Sequence, residues 1–196
     1  MRALQLNPRH GWTSPNNSLN ADISPYMSRK KPQYPFVPKS TSSLVPGQFW
    51  ALPLSDGSFG CGRVVQLMPR EMMSARVSFL AAVLDWHSAE PPTPESIALA
   101  PCVTQGHVHL KAITETGGSI LGYRSLDADG IQPWLFRGAH GWQNSNVQLG
   151  FIPVRPQQPE DRDLPVFSTW GFDIAASIAD ARFVQRTGPW AKASRG

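Results

Sequence analysis

The chain has only two cysteines, Cys61 and Cys102, and no CxxC pair. That scarcity excludes thiolate zinc sites of the usual spacing. Two isolated cysteines without a secretory leader are expected to be reduced, half-buried side chains rather than a disulfide or a metal pair. Long apolar runs are also missing: no stretch approaches the roughly 18–20 residues needed to span a bilayer. The opening MRALQLNPRHGW is broken by Asn7, Pro8 and Arg9 and does not read as a signal peptide, so a cytoplasmic protein with no membrane partner is expected. Neither GxSxG nor HExxH occurs, and no glycine-rich phosphate loop precedes a lysine. Ser168-Thr169, before Trp170, reads as a turn rather than a nucleophile. No catalytic residue is assigned.

Charge of one sign is scarce where it would matter. The net charge of +4 points toward nucleic acid until the charges are located. Residues 1–46 hold six of the eighteen bases and one of the fourteen acids, so twelve bases face thirteen acids over 47–196. A nearly neutral domain lacks the basic stripe that duplex binding requires, and no nucleic-acid partner is expected.

Residues 1–44 form a basic arm rich in proline and serine, a composition that cannot offset the entropy cost of ordering. It is expected to stand apart from the fold. Met27 reads as a start in its own right, which would place 1–26 upstream of the native product. One domain then covers 45–190, and 191–196 are a disordered tail. Nineteen prolines and sixteen glycines argue for frequent turns. The expected class is mainly β (α+β): a small twisted antiparallel sheet or partly open barrel with one C-terminal helix.

QFWALPL (48–54) and FGCGRVVQL (59–67) flank Asp56-Gly57, a strong hairpin signal. A two-residue loop there sets Leu54 opposite Phe59, Leu52 opposite Cys61 and Trp50 opposite Arg63, with a cation–π contact in the last pair. Gly60 and Gly62 then lie opposite bulky residues and open the backbone to close approach. VSFLAAVLDW (77–86) is apolar on both faces and reads as a buried strand, and ESIALAP as one helical turn. CVTQGHVHLKAI (102–113) alternates as a strand, and ILGYRSL (120–126) repeats the hairpin pattern after Gly117-Gly118. The stretch 134–162 is irregular, with at most one short strand near 147–154. FDIAASIADARFV (172–184) reads as a helix with Ile174, Ile178 and Ala181 on its inner side, stopped by Gly188-Pro189.

His107 and His109 share one strand face, a pattern that metal hydrolases use. That face also carries Lys111, so solvent exposure is the expectation. A metal site, zinc being the natural ion, would need a third ligand from His140, Asp127, Asp129 or His87. Otherwise no cofactor is implied. Glu160, Asp161 and Asp163, interrupted by Arg162, form an acidic loop suited to a basic partner. Six of the seven tryptophans lie beyond residue 46, and most should fill the core. Trp142, in the HGWQNSN stretch without apolar neighbours, is the one expected at a recognition surface.

VPGQFWALPLSDGSFGCGRVVQL (45–67) resembles the opening of the immunity protein 26 family. The matching positions are Gly47, Pro53-Leu54, Asp56, Gly57, Gly60, Gly62, Arg63 and Val64. ILGYRSL and TWGFDIAASIADARF follow in the expected order. The resemblance implies a cytoplasmic immunity protein that binds and neutralises a cognate toxin domain delivered by a neighbouring cell. The grouping also carries the name of a small organophosphate hydrolase. A metal-assisted phosphotriesterase using His107 and His109 is therefore the alternative. Trp142, Glu160, Asp161 and Asp163 are the expected toxin contacts.

Overall fold

The computed structural model describes residues 32–138 and 145–191. The protein is mainly β, with an open six-stranded sheet, a second three-stranded sheet and a C-terminal helix. The large sheet holds β1 (Gln48–Pro53), β2 (Phe59–Leu67), β3 (Ser78–Ser88), β4 (Cys102–His109), β5 (Gly122–Tyr123) and, completing it, β9 (Thr169–Trp170). Their spatial order is β5-β1-β2-β3-β4-β9. All neighbours run antiparallel except β4 and β9. The small sheet is β6 (Leu135–Phe136), β7 (Asn146–Leu149) and β8 (Ile152–Pro156), antiparallel and in chain order.

The first hairpin differs by one residue from the register that the sequence suggests. Leu54 N–H donates to Ser58 O and Gly57 N–H to Leu54 O. The loop therefore has three residues, Ser55 to Gly57, with Gly57 at φ +85°. This is the type I turn with a following left-handed glycine, not the two-residue turn. A slip of one residue exchanges the faces. Trp50 now pairs with Gly62 and Phe49 with Arg63. The expected Trp50–Arg63 contact does not form. Trp50 instead lies over the bare backbone of Gly62, where a Cβ would overlap its indole.

Core side chains cover both faces of the large sheet. On one face Trp50, Leu52, Val64, Phe79 and Val83 pack against α2 (Ile174–Asp180). Gly60 is the point of close approach, since a Cβ there would sit 2.9 Å from that of Ala179. The helix is shorter than expected and rotated: Ala175, Ile178 and Ala179 are buried while Ile174 is exposed, and Ala181–Gln185 continues as a π turn. Arg182, in that π turn, forks onto both oxygens of Asp85 on β3 (3.0 and 2.6 Å). On the other face Phe49, Cys61, Val65, Leu80 and Leu84 meet Ile97, Ile131, Phe136 and Phe151. β3 is buried on both faces over most of its length, as its continuous apolar run requires.

Three further expectations are corrected. Residues 32–44 are part of the fold: Phe36 bridges Ile120, Thr41 N–H donates to Arg76 O, and Thr41 and Leu44 are buried. The strand at 102 ends at His109, and Lys111–Thr114 turns as a short helix, α1. Gly122–Tyr123 pairs with β1 rather than forming a hairpin of its own. Both cysteines are free.

Candidate functional site

The irregular stretch builds more structure than its composition promises. Gly150 (φ +58°) and Phe151 form a two-residue turn between β7 and β8. Gly150 N–H donates to Trp134 O and Phe151 N–H to Gln66 Oε1 at 3.0 Å, which ties the turn to β2. The Phe151 ring inserts beside Phe167 and His107, with centroids 5.6 and 5.4 Å away. Phe136 and Val147 fill the inner face of this sheet.

Its outer face is apolar and is left uncovered by the described residues. Leu135 pairs with Leu149, and Leu149 with Ile152, so three large aliphatic side chains stand in one cross-strand row. They are 43%, 38% and 50% exposed, and Val154 on β8 is equally open. Beside the row lies an open groove of about 660 Å³, lined by Leu135, Leu149, Trp134, Pro133, Leu164 and Asp163. None of these apolar residues is legible as a contact from the sequence. Regular alternation would set Val147 and Leu149 on one face; the irregularity between Val147 and Gln148 leaves Val147 inward and Leu149 outward, and nothing in the sequence marks it.

The acidic loop divides. Asp161 is buried and accepts two bonds from the Arg155 fork (2.7 and 2.5 Å) and one from Gln158 N–H. The Arg155 guanidinium first, and the Gln158 N–H second, lower its pKa from 3.8 to about 2. Its charge is therefore used internally, which corrects its expected role as a contact. Glu160 and Asp163 are exposed and have no ion pair among the described residues. Trp142 lies outside the described residues.

Arg63 is wholly buried. It donates to Asp129 Oδ2 at 2.5 Å and to the carbonyls of Gly47 and Arg124. Asp129, whose side chain is equally buried, also accepts from Arg124 Nε at 2.8 Å and from Leu99 N–H at 2.9 Å. Burial pushes the Asp129 carboxyl up. The Leu99 N–H, then Arg124 and Arg63, outweigh this and hold it below the usual carboxylate range. Leu99 and Arg186 alone among the described non-glycine residues have positive φ. Arg186 closes the C-terminal helical segment, where such a residue is common. Leu99 sits at φ 60° and is 72% exposed. For a side chain with a Cβ that conformation costs about 1–2 kcal/mol.

The histidines do not assemble a metal set. His107 Nδ1 is bonded to Thr169 Oγ1 at 3.0 Å, and its ring stacks on Phe167. Burial, then the charge of His109, lowers its pKa. Both rings are half-buried rather than fully solvated, and His109 Nδ1 accepts the Lys111 N–H. Asp129 is occupied as described, and His87 bonds Ser58 and stacks on Phe183. His140 lies outside the described residues. Among the described residues no three His, Cys, Asp or Glu side chains cluster for a metal ion. The Ser58–His87 contact (2.8 Å) has the look of a nucleophile and base, but Asp56 Oδ1 accepts the Ser58 hydroxyl at 2.5 Å. The single hydroxyl proton goes to the carboxylate, and His87 donates to Ser58. That is a turn-stabilising network, not an activated serine.

No helix among the described residues is long and apolar enough to cross a membrane. Comparison with protein-family models, curated proteins and solved structures returned no match.

Proposed function

We propose that this protein is a cytoplasmic immunity protein that binds and neutralises a cognate toxin domain by stoichiometric inhibition, as the resemblance of residues 45–67 implies. The observation that supports a binding role best is the exposed Leu135–Leu149–Ile152 row beside the Trp134 groove. A row of large aliphatics held open on a rigid sheet is what a protein partner buries. Asp163 in the groove lining, with Glu160 three residues before it, fits a partner that is basic at this edge. The small sheet can vary its outer face without disturbing the core on its inner face.

The test is co-expression with the toxin domain encoded beside the gene. Wild-type protein should protect the cell and co-purify with that domain in equal amounts. Leu149→Asp combined with Ile152→Asp should abolish protection while the protein still melts within a few degrees of wild type. Absence of a toxin gene at the locus counts against the reading. So does hydrolysis of an organophosphate by the purified protein, lost in the His107→Ala, His109→Ala variant.

A further inference from the structure

His107 sits where the two sheets meet. On β4, its N–H donates to Ser168 O and its Nδ1 is bonded to Thr169 Oγ1 of β9. Its ring stacks on Phe167 and meets Phe151, in the β7–β8 turn, at 81° and 5.4 Å. The other nitrogen, Nε2, is enclosed and has no hydrogen-bond partner. A neutral ring tolerates this, since Nε2 can stay a bare acceptor while Nδ1–H donates to Thr169. A charged ring does not. Either tautomer leads on protonation to the same imidazolium, whose Nε2–H finds no acceptor. The face of Phe167 attracts a cation, yet it replaces little of the hydration that the ring has lost. No carboxylate offsets the charge. His109, two residues along β4, is the one titratable group among the described residues that acts on the ring, and its charge has the same sign. Lys111 pairs with Glu115, Arg155 on β8 pairs with Asp161, and Arg137, after β6, turns to the Leu164 carbonyl. At this register β3 presents Leu80 and β9 presents Thr169, neither of which titrates.

We propose that His107 is an acid-released latch: neutral, it holds the Phe151 turn and β9 at the β4 edge, and protonated, it lets them go. The latch works within the chain and stands whether or not the binding role does. Burial first, and His109 second, hold the folded ring below the ordinary imidazole value of 6.5. As the pH falls below 6.5, the opened form therefore takes up a proton before the closed form does. Opening then gains about tenfold for each pH unit until the closed ring itself is protonated. This window lies above the one in which the lowered carboxylates titrate. Leu149 and Ile152 of the exposed row flank the Gly150-Phe151 turn, so the latch also governs whether that row is held in place.

The experiment follows the full chain by NMR and native-state hydrogen exchange from about pH 7.5 to about pH 5, across the imidazole range. The His107 ring signals should titrate below 6.5. Exchange at the Gly150 and Phe151 amides, corrected for the intrinsic rate at each pH, should quicken about tenfold per unit below 6.5. Val83, buried in the middle of β3, should keep its protection. His107→Phe fills the niche without titrating and should abolish the acceleration, as should the uncharged polar variant His107→Gln. His109→Gln should retain it. A His107 ring that titrates at or above 6.5 overturns the latch, as does equal protection of Phe151 at both ends of the range. Acceleration that persists in either non-titrating variant overturns it too. If neither variant folds, the wild-type titration and exchange decide alone.

Discussion

Trp50 and Gly62 face each other across the first hairpin, with the indole lying flat against the glycine backbone where a Cβ would be. Both are completely or nearly completely enclosed, and Phe79 meets the indole edge-on at 5.9 Å. The ring has nowhere to go. Gly62→Ala should therefore destabilise by about 2 kcal/mol or more, toward the upper part of the range for overpacking. Urea unfolding monitored by tryptophan fluorescence measures this. A loss under 0.5 kcal/mol on the order of a surface substitution would mean that the hairpin shifts to accommodate it.

The amino-terminal strap gives a second test. Phe36 exchanges two backbone hydrogen bonds with Ile120, and Thr41 anchors to Ala75 O and Arg76 O. Tyr34 and Phe36 pack against the core on the face of the large sheet that also carries α2. A chain beginning at Ser43 should melt about 5 °C or more below one beginning at Pro32, given roughly 2–4 °C per kcal/mol at this size. Equal melting temperatures would show the strap to be ornamental.

These two cases also mark how far the sequence could be read. The apolar stretches 48–54, 59–67 and 77–86 become strands because period-2 or fully buried patterns admit little else. Asp56-Gly57 correctly marks the turn, but the same dipeptide fits a two- or three-residue loop. One residue of difference decides whether Trp50 meets Arg63 or Gly62. The strap was illegible because its order comes from edges supplied by Ile120 and Arg76, not from any period of its own. The candidate site was half legible. Glu160 and Asp163 stand exposed where the acidic loop suggests, whereas the outward row depends on β6 finding β7 across the nine residues 137–145, which carry little local signal. Asp161 could not be separated from its neighbours without seeing Arg155.

The buried ion network should be costly to break from one side. Asp129→Ala leaves the enclosed Arg63 guanidinium with carbonyl partners only, and the Leu99 N–H without its acceptor. A loss of about 3–5 kcal/mol is expected, the range for a buried pair deprived of one member. Chemical denaturation checks it, and a loss below 1 kcal/mol would indicate that water replaces the carboxylate at about the cost of an ordinary hydrogen bond.

Four carboxylates contribute to acid stability, one of them Asp56, lowered by the Ser58 hydroxyl and N–H. Asp161 is held at about 2 by Arg155, Asp180 is lowered by the Ser55 N–H and hydroxyl, and Asp129 is lowered on balance despite burial. Each folded value lies below the unfolded value of 3.8, so the unfolded chain takes up protons first as the pH falls. Their stabilisation is complete above about pH 4 and drains away toward pH 2. Melting temperature should fall steeply across that window, and Asp180→Asn should make the fall shallower. An unchanged slope in that variant would rule Asp180 out.

Charge reversal separates the members of the acidic loop. Asp161→Lys should lower the melting temperature, since it sets a lysine against Arg155 in a buried site. Asp163→Lys and Glu160→Lys should leave it unchanged and, under the binding role proposed above, weaken protection against a cognate toxin. Equal thermal effects in all three variants would contradict the division between internal and outward acids.

The large sheet ends on strands of two residues each, β5 and β9, with its long strands enclosed between them. Beside β9, the Gln105 side chain of β4 bonds the main chain of Gln132 and Trp134. The five-residue outer strand β8 contains Pro153 and Pro156, which have no backbone N–H to offer. A second chain seeking to continue either sheet therefore meets few available rungs. The aliphatic row of the small sheet is thus presented beside edges that offer a second chain little backbone template.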